Sequence, residues 1–212
     1  LLVPAKDEKT LTGIILDVIE KFAIENGIFS CNFLYVDSRL KKHAEQAQYS
    51  TWINQQSLWT SKGENTFDDY LKRFNSNQRR NIKRERLSLE KSGLSVTTLE
   101  GAELSSNFLE LMYELYALHC SKWGDWGSKY LTKDFFQDLT KQNLKDHIVL
   151  FNANRGDPEN PLAMSLCIKD SNILWGRYWG SKEEIQNLHF ETCYYSPIEW
   201  AINNGIKKFD PG

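Results

Sequence analysis

The stretch HIVLFNANRGDPENPLAMSLCIKDSNILWGRYW, residues 147–179, decides the fold. Three runs, His147–Asn152, Leu162–Ile168 and Ile173–Trp179, are rich in apolar residues and each has strand length. Between them lie Asn154-Arg155-Gly156-Asp157-Pro158 and Lys169-Asp170-Ser171-Asn172, segments rich in turn residues. Such turns join neighbouring strands without a crossover, so an antiparallel meander is expected.

Helical periods flank the meander. Leu11, Ile14, Ile15, Val18, Ile19 and Phe22 follow i, i+3, i+4 spacing and predict an amphipathic helix over Asp7–Asn26. Ile28–Val36 reads as a buried strand, 37–47 as a short helix, and Tyr49–Ile53 as a second strand. A long helical region runs from Phe67 to Lys91 with a break at Asn75-Ser76-Asn77, and Gly93 ends it before a strand over Leu94–Leu99. Helices follow at 102–120 and 132–142. Near the end, Ser196-Pro197-x-Glu199 forms a capping-box pattern with proline at the first helical position. Alternatively that helix starts near His189 and kinks at Pro197. Lys207–Asp210 is a last strand. Helices feeding mixed, largely antiparallel sheets make an α/β (α+β) fold.

Composition narrows the classes. The chain has 212 residues, 41% hydrophobic and 25% charged, which excludes disorder over most of its length. Its longest apolar runs, such as Ile148–Phe151, are far too short to span a bilayer. Four cysteines without a CxxC pattern point to buried free thiols in a reducing, cytoplasmic setting. The net charge of −2 hides an asymmetry. Residues 72–91 carry eight basic residues against Glu85 and Glu90, a surplus of six that leaves −8 for the remainder.

That basic segment is the first candidate site. Arg79, Arg80, Lys83 and Arg84 crowd one helix, and guanidinium groups grip phosphate or carboxylate bidentately. An RNA backbone, a nucleotide or an anionic lipid head fits them; a solvated helix face is the plain alternative. The second is Leu174-Trp175-Gly176-Arg177-Tyr178-Trp179-Gly180. Strict alternation puts Trp175, Arg177 and Trp179 on one sheet face as a stacking platform, and Leu174, Gly176 and Tyr178 on the other. Third, His189 stands at a strand-to-helix junction as an acid–base candidate, followed by Glu191 and Cys193. Those three do not make a metal site, for no HExxH or CxxC partner exists. Fourth, Asp210 ends the last strand, where carboxylates of α/β sheets face the ligand crevice. Nucleophile-elbow and phosphate-loop motifs are absent.

The segment Gln78-Arg79-Arg80-Asn81-Ile82-Lys83-Arg84, followed by Gly93-Leu94-Ser95-Val96, resembles a junction in the FemAB-like aminoacyltransferases. Three further runs are similar to a bacterial FemAB-like family of peptidoglycan biosynthesis or recognition within the GNAT-fold N-acyltransferases. They are Trp175-Gly176-Arg177-Tyr178-Trp179-Gly180, Leu188-His189-Phe190-Glu191-x-Cys193-Tyr194-Tyr195, and Pro197-Ile198-Glu199 with Phe209-Asp210-Pro211-Gly212. The resemblance implies tandem GNAT-like domains truncated at one or both ends. Residues 1–92 would hold the end of the first domain with its basic connecting helix, and 93–212 most of the second.

It further implies transfer of an acyl or aminoacyl group to an amine of a cell-wall precursor, a small molecule or a peptide. The donor would be acyl-CoA or aminoacyl-tRNA, with no tightly bound cofactor. His189 or Asp210 would act as base, Arg177 and Tyr178 would position substrate, Trp175 and Trp179 would wall the cleft, and Glu191 would contact substrate. The basic helix would meet the anionic donor, tRNA included. One departure stands out. The Q/R-x-x-G-x-G/A loop by which GNAT acetyltransferases hold coenzyme pyrophosphate is replaced by Gly180-Ser181-Lys182-Glu183-Glu184-Ile185-Gln186-Asn187. The competing class is a non-catalytic domain that recognises a muropeptide or another anionic ligand, nucleic acid included.

Overall fold

The computed structural model describes residues 5–53, 55–127 and 129–212. The chain divides into two compact units, residues 1–55 and 56–212. The division falls ahead of the basic helix.

The first unit carries α1 (Glu8–Glu25) and α2 (Ser38–Gln46). Asp37 caps α2 by accepting from the amides of Arg39 at 3.0 Å and Leu40 at 2.8 Å. On α1 the buried positions are Thr12 and Leu16, while Ile14, Val18 and Phe22 of the expected apolar stripe are exposed. The strands expected over Ile28–Val36 and Tyr49–Ile53 do not form. Strand propensity needs a paired edge and a covered face to be realised. The described residues of this unit offer neither, and Phe29, Leu34, Tyr35 and Ile53 stand in solvent.

The second unit is built on one six-stranded sheet: β1 (Trp59–Thr60), β2 (Ser95–Glu100), β3 (Ile148–Asn154), β4 (Ala163–Lys169), β5 (Ile173–Ser181) and β6 (Lys208–Asp210). Its order is β1-β6-β5-β4-β3-β2. The expected meander is present, with β2 through β5 pairing antiparallel in sequence. Only β5 and β6 run parallel. A parallel neighbour requires a crossover, and the last helical segment supplies it.

Helices cover both faces. α5 (Ser106–Ser121) and α6 (Lys133–Asp138) bury Leu109, Met112, Leu115 and Phe136 against Ile148, Leu150, Met164 and Leu166. The opposite face packs Val149, Phe151, Cys167 and Leu174 against Phe67, Leu71, Ile198 and Ala201. The helix expected over 132–142 is interrupted after α6, where the Thr140 hydroxyl donates to the Gln137 carbonyl at 2.7 Å. It resumes as α7 (Gln142–Lys145).

The long basic region is two helices, α3 (Phe67–Leu71) and α4 (Ser76–Lys91). Asn75 makes the break. Its side chain accepts from the amides of Asn77 at 3.1 Å and Gln78 at 2.9 Å, and the Gln78 side chain accepts the Asn75 amide at 3.3 Å.

The terminal helix follows the second of its two sequence readings. It begins as α8 (Leu188–Phe190), widens into a π turn over Glu191–Tyr195 and continues as α9 (Ser196–Asn203). The capping box at Ser196 is not made: Ser196 has helical φ −62 and ψ −44 and its side chain caps nothing. Pro197 lacks an N–H and its ring crowds the preceding turn, and the wide turn just before it accommodates both.

Gly180 of β5 lies against α5 so closely that an added Cβ would overlap the Leu115 carbonyl. Gly180→Ala is therefore expected to lower the stability of the folded chain by at least about 2 kcal/mol, read as a drop in the urea midpoint at unchanged m-value.

Candidate functional site

The chemistry-bearing residues gather around an irregularity in β5. Leu166 pairs with Tyr178 and Cys167 pairs with Gly176, which leaves Arg177 as the extra residue of a β-bulge. The bulge corrects the expected alternation. Trp175 lies opposite Ile168 and so shares the α5 face, whereas Trp179 lies opposite Ser165 on the other face. Trp175, Arg177 and Trp179 thus form no common platform, because one inserted residue reverses the facing of everything after it. Tyr178 turns into the α5 core, with ring centroids 5.3 Å from Tyr116 and 6.0 Å from Phe136. Arg177 is exposed, and its Nη1 donates to the Gly176 carbonyl at 2.8 Å.

β6 pairs with β5 only along Ile173–Trp175. The last pair of this parallel ladder sets Asp210 opposite Trp175. The Asp210 carboxylate accepts from Gln56 Nε2 at 2.7 Å and from the Gly212 amide at 3.0 Å.

His189 lies on the opposite face. Asn187, in left-handed conformation at φ 68, turns the chain from the β5 loop into α8. The imidazole then packs edge-on against Trp179 at 5.1 Å, Tyr194 at 5.7 Å and Phe190 at 6.0 Å. Partial burial pulls its pKa below the usual imidazole value, and the charge of His119 acts in the same direction. At neutral pH the ring is therefore unprotonated. Register and packing put His189 and Asp210, the two candidate bases, on different sides of the sheet.

Glu191 is held by a residue outside the expected site set. Arg86 donates Nε to Glu191 Oε2 at 3.1 Å and Nη2 to Oε1 at 2.9 Å, and the same Nη2 reaches Glu199 Oε2 at 2.6 Å. The Ser196 hydroxyl donates to Glu191 Oε1 at 2.9 Å. The guanidinium also stands 4.6 Å over the Phe67 ring. Burial alone would lower the Arg86 pKa, but the Glu191 and Glu199 carboxylates outweigh it and raise the value. A cleft of about 360 Å³ opens beside this pair, lined by Glu90, Val96, Thr98, Ser196 and Trp200 among others. Arg86 was legible in principle. It sits four residues after Ile82 and three before Leu89, on the inward stripe of α4, but the surrounding basic residues mask it.

The remaining basic residues of α4 are less engaged. Lys83 pairs with Asp68 at 2.8 Å, and Arg84 donates to Asn81 at 3.2 Å. Among the described residues, Arg79 and Arg80 make no ion pair. Of the cysteines, Cys120 and Cys167 are buried, Cys193 is half-buried and Cys31 is exposed, which corrects the expectation of four buried thiols. Burial pushes the thiols of Cys167 and Cys193 well up, so neither is a ready nucleophile. Among the described residues no group of three or more His, Cys, Asp or Glu side chains is placed to hold a metal ion, and no helix is long and apolar enough to cross a membrane.

His189 has a lowered folded pKa, so the fold favours the neutral ring, and its contribution is full above the unfolded value of about 6.5. That contribution is lost as pH falls from there through the folded pKa. Urea midpoints at pH 7 and pH 5 should therefore drop less for His189→Gln than for the wild type; an equal drop would remove the imidazole from this account.

No curated protein matches the chain. The sequence model of the FemAB-like family, described as peptidoglycan biosynthesis/recognition, matches residues 1–212, which takes in the bulged strand, the π turn and α4 together. With the match spanning both compact units, the chain belongs to the FemAB-like family.

Proposed function

We propose that this protein is a GNAT-type N-acyltransferase or aminoacyltransferase that moves an acyl group onto an amine of a peptidoglycan precursor. The observation that carries this reading is the β-bulge at Arg177, two residues past the Trp175–Asp210 pairing of the parallel strands β5 and β6. Ligands of α/β sheets bind in the crevice beyond the carboxyl ends of parallel strands. A bulge leaves one residue's backbone outside the ladder, so its N–H is free to meet a developing oxyanion. The antiparallel order β2-β3-β4-β5, then a helix, then a parallel β6, also suits a GNAT-like domain over residues 93–212, with β1, α3 and α4 packed onto its sheet.

In this reading the acceptor amine gives up a proton to His189, or to Asp210, as it attacks the acyl carbon. The carbon–nitrogen bond forms, the negative oxygen is held by the bulge and by the Arg177 guanidinium, and the bond to sulfur or oxygen breaks. The proton passes to the departing thiolate or alkoxide. Trp175, Tyr178 and Trp179 shape the two sides of the crevice, and Glu191 acts on substrate through the adjoining cleft. The donor is acyl-CoA or aminoacyl-tRNA.

The recognition reading, a non-catalytic domain for a muropeptide or other anionic ligand, is favoured by one observation. The loop from Gly180 to Asn187 has no glycine pattern with which to cradle a coenzyme pyrophosphate.

Both readings meet in one experiment. The full chain is incubated with labelled acyl-CoA or aminoacyl-tRNA and amine-bearing muropeptides. Amide product is expected, with kcat lowered by about 100-fold or more in His189→Gln and an acid limb of kcat/KM below the usual imidazole pKa. A comparable loss in Asp210→Asn alone moves the base to Asp210. Muropeptide binding without transfer from either donor sinks the enzyme reading.

A further inference from the structure

The inward residues of α4 are accounted for: Ile82 and Leu89 pack into the body, Arg86 holds the π turn, and Glu85 accepts the Tyr195 hydroxyl at 2.8 Å. At about 100° per residue, the outward arc of the same helix carries Arg80, Lys83, Arg84, Leu87 and Lys91, all of them exposed. Glu90 leaves that arc for the flank, where it lines the cleft beside Arg86. Lys83 has Asp68 as a surface partner, and Arg84 is steadied by Asn81. Among the described residues Arg80, Arg84 and Lys91 face no carboxylate within ion-pair distance. Like charges stacked at i, i+4 cost helix stability, so this arrangement does nothing for the fold.

We propose that the outer face of α4, with its basic side chains ranged around Leu87, docks on a bilayer surface bearing anionic phospholipid. Charge complementarity is the first argument: four cations along a helix of 16 residues, about 24 Å long, match a negatively charged plane. The second is Leu87, 46% exposed in the middle of the basic arc. An apolar side chain there gains nothing from a phosphate backbone, but it can enter the headgroup–acyl boundary while the arginines keep to the phosphates. Nucleic acid fits less well. A phosphate backbone would leave Leu87 facing charge in the middle of the arc. The outward arc also has no aromatic ring on which an unpaired base could stack. The proposal rests on α4 alone, and its failure would leave the proposed transfer untouched.

The test is flotation of the full chain with vesicles of phosphatidylcholine, alone or with about 30 mol % phosphatidylglycerol. Salt is set at about 0.1 M and about 1 M, which shortens the Debye length from about 10 Å to about 3 Å. The protein is expected to float only with the anionic vesicles and only at low salt. Each basic residue at an anionic surface is worth about fivefold in partitioning, so R80Q/R84Q should lose about 25-fold and R80E/R84E more. K182E, outside α4, should bind as the wild type does, and Leu87→Ser should weaken binding without altering its salt dependence. Circular dichroism checks that each variant is folded. Failure of the wild type to float, equal binding to neutral vesicles, or indifference to both double substitutions would overturn the proposal. So would Arg80- and Arg84-dependent binding of an RNA oligonucleotide without flotation, which would assign the face to nucleic acid.

Discussion

The Arg86 guanidinium ties together two elements that local sequence would not join. It reaches from the inward side of α4 to Glu191 in the π turn and to Glu199 one helical stretch later, more than a hundred residues away in the chain. Glu191 is only 7% exposed, so its charge is tolerable only with this partner and the Ser196 hydroxyl beside it. Removing one member of a buried pair typically costs about 3–5 kcal/mol, because the survivor stays desolvated and uncompensated. The bidentate geometry also fixes orientation, which a lysine at position 86 would not reproduce. With Glu191 pinned, the wide turn holds the phase of the helix around it. His189, two residues earlier, is thereby kept against Trp179 and Tyr194.

The second constraint acts on the sheet. A single additional residue at Arg177 turns Tyr178 into the α5 core and Trp179 toward α8. It does so two residues past the Trp175–Asp210 pairing, at the carboxyl end of the parallel pair. Bulges commonly re-aim side chains next to active sites. The Cys167 thiol is buried on the same inner face as Leu174.

Features set by neighbours in sequence were legible, and those set by distant partners were not. The meander could be read because turn residues at 154–158 and 169–172 punctuate runs of strand length. The break at Asn75 and the stop at Gly93, at φ 77, were equally local. The runs 28–36 and 49–53 have the same composition as the true strands yet stay irregular, since a strand exists only with an edge to pair with. The bulge was invisible because alternation carries no mark of an inserted residue until the partner register is known. At Ser196 the local pattern suited both a cap and a continuing helix. There the chain continues as helix, with Ser196 at φ −62 and ψ −44 and its hydroxyl donating to Glu191. The basic run concealed Arg86 in the same way, for composition cannot distinguish an inward arginine from its outward neighbours.

That distinction changes the meaning of the +6 segment. Charges on one helix are commonly treated as one surface, but those of α4 divide by angle into two roles. Arg86 is neutralised by two carboxylates and belongs to the interior. Arg80, Arg84 and Lys91 lie about 120–160° around the helix from it and meet solvent. The interior half fixes α4 rigidly to the terminal helix, and rigidity is what gives the exterior half a defined direction. A flexible basic tail would meet an anionic partner in any orientation, with ordering to be met on binding. Here the ordering is already done by folding, so a partner on the outer arc would engage a helix whose other side is committed to the π turn and the cleft beside it.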